Sequence, residues 1–143
     1  MSPPRSDSTP ARDEKPSTRP LLDKLGVKHD SRVALVGDFP DWFRALLLQR
    51  AAFIGDGAPA EPVDLIFLLA DTHDELDLLH DLRHLIEQNG AIWVVSKKGK
   101  AATLRDVDVI SAALAAGLVD NKVVSFSDTH TSLRSVIRLR DRI

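Results

Sequence analysis

Three lysines around one glycine, in Ser96-Lys97-Lys98-Gly99-Lys100, are the residues best suited to chemistry with an anion. Their ammonium groups are compact charges on flexible stems, and a glycine lets backbone amides come close to a ligand. A P-loop is excluded by spacing. It needs a glycine where Val94 stands and a serine or threonine where Ala101 stands. Two readings stay open: a site for a small anion or an acidic protein surface, and a basic turn solvated by water.

The second group is Gly37-Asp38-Phe39-Pro40-Asp41. A dinucleotide or S-adenosylmethionine site after a first strand normally uses several glycines, so that backbone can approach the ligand and the next helix can present its amino end. Here one glycine is followed by two acids, a bulky ring and a proline. The usual cofactor loop is missing, and no cofactor is expected. Gly37 and Asp38 could still contact a ligand through the free amides at the helix start. Capping and charge–dipole attraction account for Asp38 and Asp41 without one. Asp56 lies at about the separation from Gly37 where a ribose-binding acid is expected, yet a turn aspartate is the simpler reading.

Other polar clusters carry less. His73, Asp77, His80 and His84 would share one face of a helix, opposite its leucines, so they are expected in water rather than in a metal pocket. His130 beside Asp128, Thr129 and Thr131, with Ser125 and Ser127 near, has the composition of a turn, and no Gly-x-Ser-x-Gly elbow occurs. Arg134, Arg138, Arg140 and Arg142 give the carboxyl-terminal segment local positive charge. With no tyrosine and few other aromatic residues to stack on bases, a charged strand edge explains them better than nucleic acid does.

The elements that would position these groups follow from patterning. Met1 to Pro20, rich in proline, serine, threonine and charge, cannot offset its ordering entropy by burial, and a disordered tail is expected over residues 1–20. Residues 21–143 are expected to form a single domain. A short apolar turn, Leu21 to Val27, precedes a strand at Arg32 to Val36, with Pro40 at the first position of the next helix. At most a short strand fits around Phe53 and Ile54. Val63 to Leu69 is apolar at nearly every position, as in a strand covered on both faces. Thr72 and Glu75 make a capping box for a helix to about Gln88, stopped by Asn89-Gly90. A strand at Ala91 to Val95 comes next. Thr103 and Asp106 repeat the box before a helix at Val107 to Ala116, and Val123 to Phe126 with Leu133 to Leu139 reads as an antiparallel hairpin.

Repeated strand–helix–strand units of this kind make a three-layer, Rossmann-like α/β fold: an open, mostly parallel sheet with helices on both faces and a carboxyl-terminal antiparallel hairpin. The stretches "KLGVKHDSRVALVG", "VDLIFLLADTHDEL", "GAIWVVSKKGK" and "SFSDTHTSLRSVIRL" resemble the class I methyltransferase fold. More closely, they resemble a bacterial family of small uncharacterised proteins built like a truncated methyltransferase. The resemblance implies the fold and says little about a reaction.

Composition narrows the classes further. No cysteine is present, which excludes disulfides, thiolate metal sites and cysteine nucleophiles. A net charge of -2 favours neither nucleic acid nor an anionic membrane. The longest apolar run is too short to span a bilayer, and no signal peptide is legible, so a cytoplasmic setting is expected. The function expected is a non-enzymatic binding or regulatory module for an anionic ligand or acidic partner, through Gly37, Asp38, Lys97, Lys98 and Lys100. The alternative is an atypical S-adenosylmethionine-dependent methyltransferase or nucleotide-binding enzyme.

Overall fold

Val63–Leu69, with its unbroken apolar character, becomes an interior strand (β3) of a six-stranded sheet in the computed structural model, which describes residues 20–142. Of the expected tail, residues 1–19 lie outside the described residues. The sheet order is β2-β1-β3-β4-β6-β5, with β1 at Arg32–Val36, β2 at Phe53–Asp56, β4 at Ile86–Lys97, β5 at Leu118–Ser125 and β6 at His130–Ile137. β1 to β4 pair in parallel, and β6 runs antiparallel to both of its neighbours. This is the expected architecture, closing hairpin included.

Two apolar layers flank the sheet because successive side chains of a strand point to opposite faces. On one face Ala34, Ile66, Ile92 and Val94 pack under α3 (His73–Leu76), α4 (Leu79–Leu82) and α5 (Asp106–Ala115). On the other, Val33, Leu35, Phe67 and Trp93 pack under α1 (Leu21–Lys24) and α2 (Asp41–Leu48). The buried Trp93 indole donates to the Leu25 carbonyl at 3.0 Å, which fixes the α1 turn on that face.

The long helix expected over 72–88 is not formed. The Thr72–Glu75 capping box is present, but it starts a single turn, followed by α4 and a 3₁₀ turn at Arg83–Leu85. The buried leucines explain this: Leu76, Leu79 and Leu82 recur every three residues, which suits tight single turns better than a continuous α-helix of period 3.6. Asn89-Gly90 accordingly stops no helix. It lies within β4, in a bulge where Glu87 to Gly90 stand opposite the single residue Asp64, because Val63 pairs with Ile86 and Leu65 with Ala91.

Three other boundaries differ. Helix α5 is not boxed by Thr103 and Asp106; Arg105 is its N-cap, and the Asp108 carboxylate accepts the Arg105 N–H at 2.8 Å. That hydrogen bond is the main reason the Asp108 carboxyl lies below the usual aspartate range. Thr103 instead donates its hydroxyl to the Asp71 carbonyl at 2.5 Å. Strand β5 begins at Leu118 rather than Val123, and β6 spans His130–Ile137 rather than Leu133 to Leu139. As an outer strand β5 buries only Leu118 and Val124, so its alternation is faint in the sequence.

The link from β2 to β3 is unusually direct for parallel strands. Asp56 stands level with Leu35, and Leu35 with Phe67, so the chain must return ~13 Å along the sheet and ~10 Å across it. Residues 57–62 span at most ~25 Å when extended, which leaves no room for a helix. They form a strap beside β1, over a groove of about 430 Å³ that includes Ala34, Phe53 and Pro59.

Candidate functional site at the carboxyl edge of the sheet

In an open α/β sheet, ligands sit outside the carboxyl ends of the strands where the strand order reverses, here between β1 and β3. Gly37 follows β1 with φ of +118°, and a Cβ placed on it would lie 2.8 Å from the Leu69 Cβ at the end of β3. The turn is therefore packed directly on its neighbour. The Phe39 N–H donates to the Gly37 carbonyl at 3.1 Å, and the Phe39 ring turns inward. There it is buried against Phe43, Phe67 and Phe126, with ring centroids 5.6, 6.4 and 6.1 Å away.

Gly37 and Asp38 are exposed at this edge. Pro40, not an aspartate, occupies the N-cap of α2, and no side chain caps that helix. The capping expected of Asp38 and Asp41 is thus not made, although Asp41 lies in the first turn. Pro40 itself is one position earlier than expected, extended with ψ of 151°.

Asp56 ends β2 and forms an ion pair with Arg44 of α2. It is a paired strand-end residue rather than a free turn aspartate. The Asp56 hydrogen bond is the main cause of the Arg44 guanidinium being raised above its ordinary range.

The lysines do not converge. Lys97 is exposed, and alternation along β4 puts it on the face of Trp93 and Val95. Its N–H donates to the Asp71 carboxylate at 2.9 Å, which ties the end of β4 to the loop after β3. Lys98, just beyond β4, is half-buried, its Nζ donating to the Ser125 hydroxyl at 2.8 Å. Lys100 is exposed on a 3₁₀ turn at Gly99–Ala101.

Beside this edge lies a cleft of about 260 Å³ between Asp38, Trp42 and Leu69 on one side and Phe126, Thr129 and His130 on the other. His130 is the cross-strand partner of Lys97, so the cleft and the Lys97 side of the basic turn are contiguous. The His130 Nδ1 is 2.8 Å from the Thr129 hydroxyl. Ser127 accepts the N–H groups of Thr129 and His130 at 3.3 and 3.2 Å, and Ser125 is held by Lys98. These side chains are engaged in holding the β5–β6 turn, as its composition suggested. His73, His80 and His84 are exposed, and among the described residues no group of three His, Asp or Glu could hold a metal ion.

Trp42, Leu69 and Phe126 line the cleft without having been singled out by the sequence. The signal was faint: an aromatic residue at the second position of α2 and another just past β5 are ordinary apolar residues until the fold brings their rings to 5.3 Å from each other.

Sheet order, parallel strands and the antiparallel closing pair define a Rossmann-like protein of class I methyltransferase build. The chain belongs to a family described as protein of unknown function (DUF3052), whose profile matches residues 54–138. Among solved structures it is similar to magnesium protoporphyrin IX methyltransferase from Synechocystis PCC 6803 with bound SAM. The TM-score is 0.64 at 12% identity, covering 82% of this chain and 74% of that one. A putative methyltransferase from Thermoplasma acidophilum gives 0.61 at 8% identity, covering 86% and 76%. A TehB-like SAM-dependent methyltransferase from Corynebacterium glutamicum gives 0.61 at 10% identity, covering 82% and 85%. At such identities the likeness is one of fold. No curated protein sequence matches the chain.

Proposed function

We propose that this protein is a binding or regulatory module without chemistry of its own, which receives an anionic small molecule or an acidic protein surface at the carboxyl edge of its sheet. The supporting observation is the first turn: Gly37 is packed against Leu69, and the Phe39 ring is folded into the core beneath. Such a turn does not fit a cofactor held close to the backbone. Lys97 and Lys100 stand exposed and supply charge for the anion, Lys98 braces the β5–β6 turn, and Gly37 and Asp38 are exposed at the same edge of the sheet. The cysteine-free chain suits a cytoplasmic setting. Among the described residues no helix is long and apolar enough to cross a membrane.

One observation favours a second reading. Asp56 ends β2, the place from which an acid meets the ribose of a nucleoside cofactor in related folds, although here Arg44 pairs with it. Calorimetry of the purified chain with S-adenosylmethionine and with NAD separates the two. The proposal expects no micromolar binding of either, and it expects any partner captured by pull-down to be lost on Lys97→Ala with Lys100→Ala. Micromolar S-adenosylmethionine affinity would establish the second reading.

A further inference from the structure

A second polar pocket, of about 300 Å³, opens at the opposite, amino edge of the sheet. It includes Lys28 from the loop before β1, Asp30, Asp64 at the start of β3, Asn89 and Gly90 from the β4 bulge, and Arg134 of β6. Neither the sheet-edge rule nor the lysine turn accounts for it.

Three observations single it out. Arg134 is half-buried, yet among the described residues no carboxylate lies within ion-pair distance of it, although five other ion pairs are formed. Two further cations stand near it: Lys122 is its cross-strand partner, and Lys28 shares the pocket with it, alongside Asp30 and Asp64. Burial, with Arg142 adding repulsion, holds its guanidinium below the ordinary range. A cation withdrawn from water is costly unless an anion meets it.

The wall facing this pocket is a built feature. Glu87 to Gly90 bulge out opposite Asp64, and a Cβ on Gly90 would fall 2.6 Å from the Asp64 carbonyl oxygen and 3.1 Å from that of Glu87. Only glycine fits so close a backbone crossing. Among the described residues neither carboxylate of the pocket forms an ion pair with Arg134: the Asp64 Oδ2 accepts the Arg32 N–H at 2.8 Å, and Asp30 is exposed.

We propose that this amino-edge pocket is a site for a small anion bearing a carboxylate or phosphate group, held by the Arg134 guanidinium with Lys28 and bounded by the Asn89-Gly90 bulge. A guanidinium presents a planar fork matched to two oxygens of either group. The site stands apart from the carboxyl-edge lysines and does not depend on their reading.

Nuclear magnetic resonance of the full ¹⁵N-labelled chain tests this, with sodium acetate and inorganic phosphate titrated separately at constant ionic strength. Saturable shifts of the Asn89 and Gly90 amides are expected with at least one anion, and the stronger of the two identifies the preferred group. Arg134→Gln should weaken binding by about tenfold or more, the loss of a charge-assisted contact. Lys97→Ala with Lys100→Ala should leave the titration unchanged. If Arg134→Gln does not fold, the exposed Lys28→Ala takes its place and must weaken the same shifts. Amides that do not respond in the folded wild-type chain, shifts undiminished in these pocket variants, or shifts confined to residues 97–100 overturn the proposal.

Discussion

Phe39 illustrates how one side chain can decide what a fold is able to hold. Its ring joins Phe43, Phe67 and Phe126 in one buried cluster below the first turn. Phe39→Ala should therefore cost roughly 3–5 kcal/mol, the usual penalty for emptying a buried ring site. Urea denaturation measures it, and a loss under about 1 kcal/mol would mean that the ring does not pin the turn. The sequence showed that this loop departs from a glycine-rich cofactor turn, because residue types alone reveal it. It could not show that Phe39 points inward, since a phenylalanine beside two acids and a proline has no periodicity to fix its direction. The lysines were misleading in a similar way: four adjacent positions look like one cluster, but Lys97 ends β4 as the partner of His130, while Lys98 just beyond it turns to the Ser125 hydroxyl.

Among the elements, legibility followed burial. β1 and β3 carry dense apolar runs, and both are found where the sequence put them. The segment after Thr72 was misread because its leucines suit either a helix or successive single turns, and the choice is made by packing on the sheet rather than by propensity. Asn89-Gly90 was misread for a related reason. The pair is a common helix stop, and nothing local distinguishes that from a bulge in a strand pairing with residues far along the chain. Gly90 gives the element its clearest test. Gly90→Ala would drive a methyl group into the Asp64 carbonyl and should destabilise the protein by roughly 1–3 kcal/mol. Chemical denaturation checks the stability. The ¹⁵N spectrum checks whether residues 87–90 and Asp64 shift together, as a disturbed bulge requires.

The described residues form two apolar layers on one sheet, with core residues running from Leu22 to Ile137. Because residues 1–19 are rich in proline, serine, threonine and charge, with little apolar surface to bury, a chain beginning at Pro20 should unfold at the same temperature as the full chain. Calorimetry of the two side by side would reveal any contribution from residues 1–19 as a lowered midpoint. Alternation of strand and helix, with the closing hairpin, was enough to read the three-layer architecture, because layer structure depends on patterning summed over many residues. The candidate sites were less visible. The cleft draws on α2, β3, the turn after β5 and the start of β6, and the amino-edge pocket on four separate segments, and such gatherings exist only after folding.

The short return from β2 to β3 has a consequence for how such a chain could grow. Because residues 57–62 are surface residues crossing beside β1 without a helix of their own, Phe53 is left 53% exposed on the outermost strand. Insertions into surface connections cost little, since closure entropy rises only slowly with length. Lengthening this crossing would give Phe53 a roof and close the groove beneath, so this is where the architecture can accept new sequence without disturbing either layer of its core.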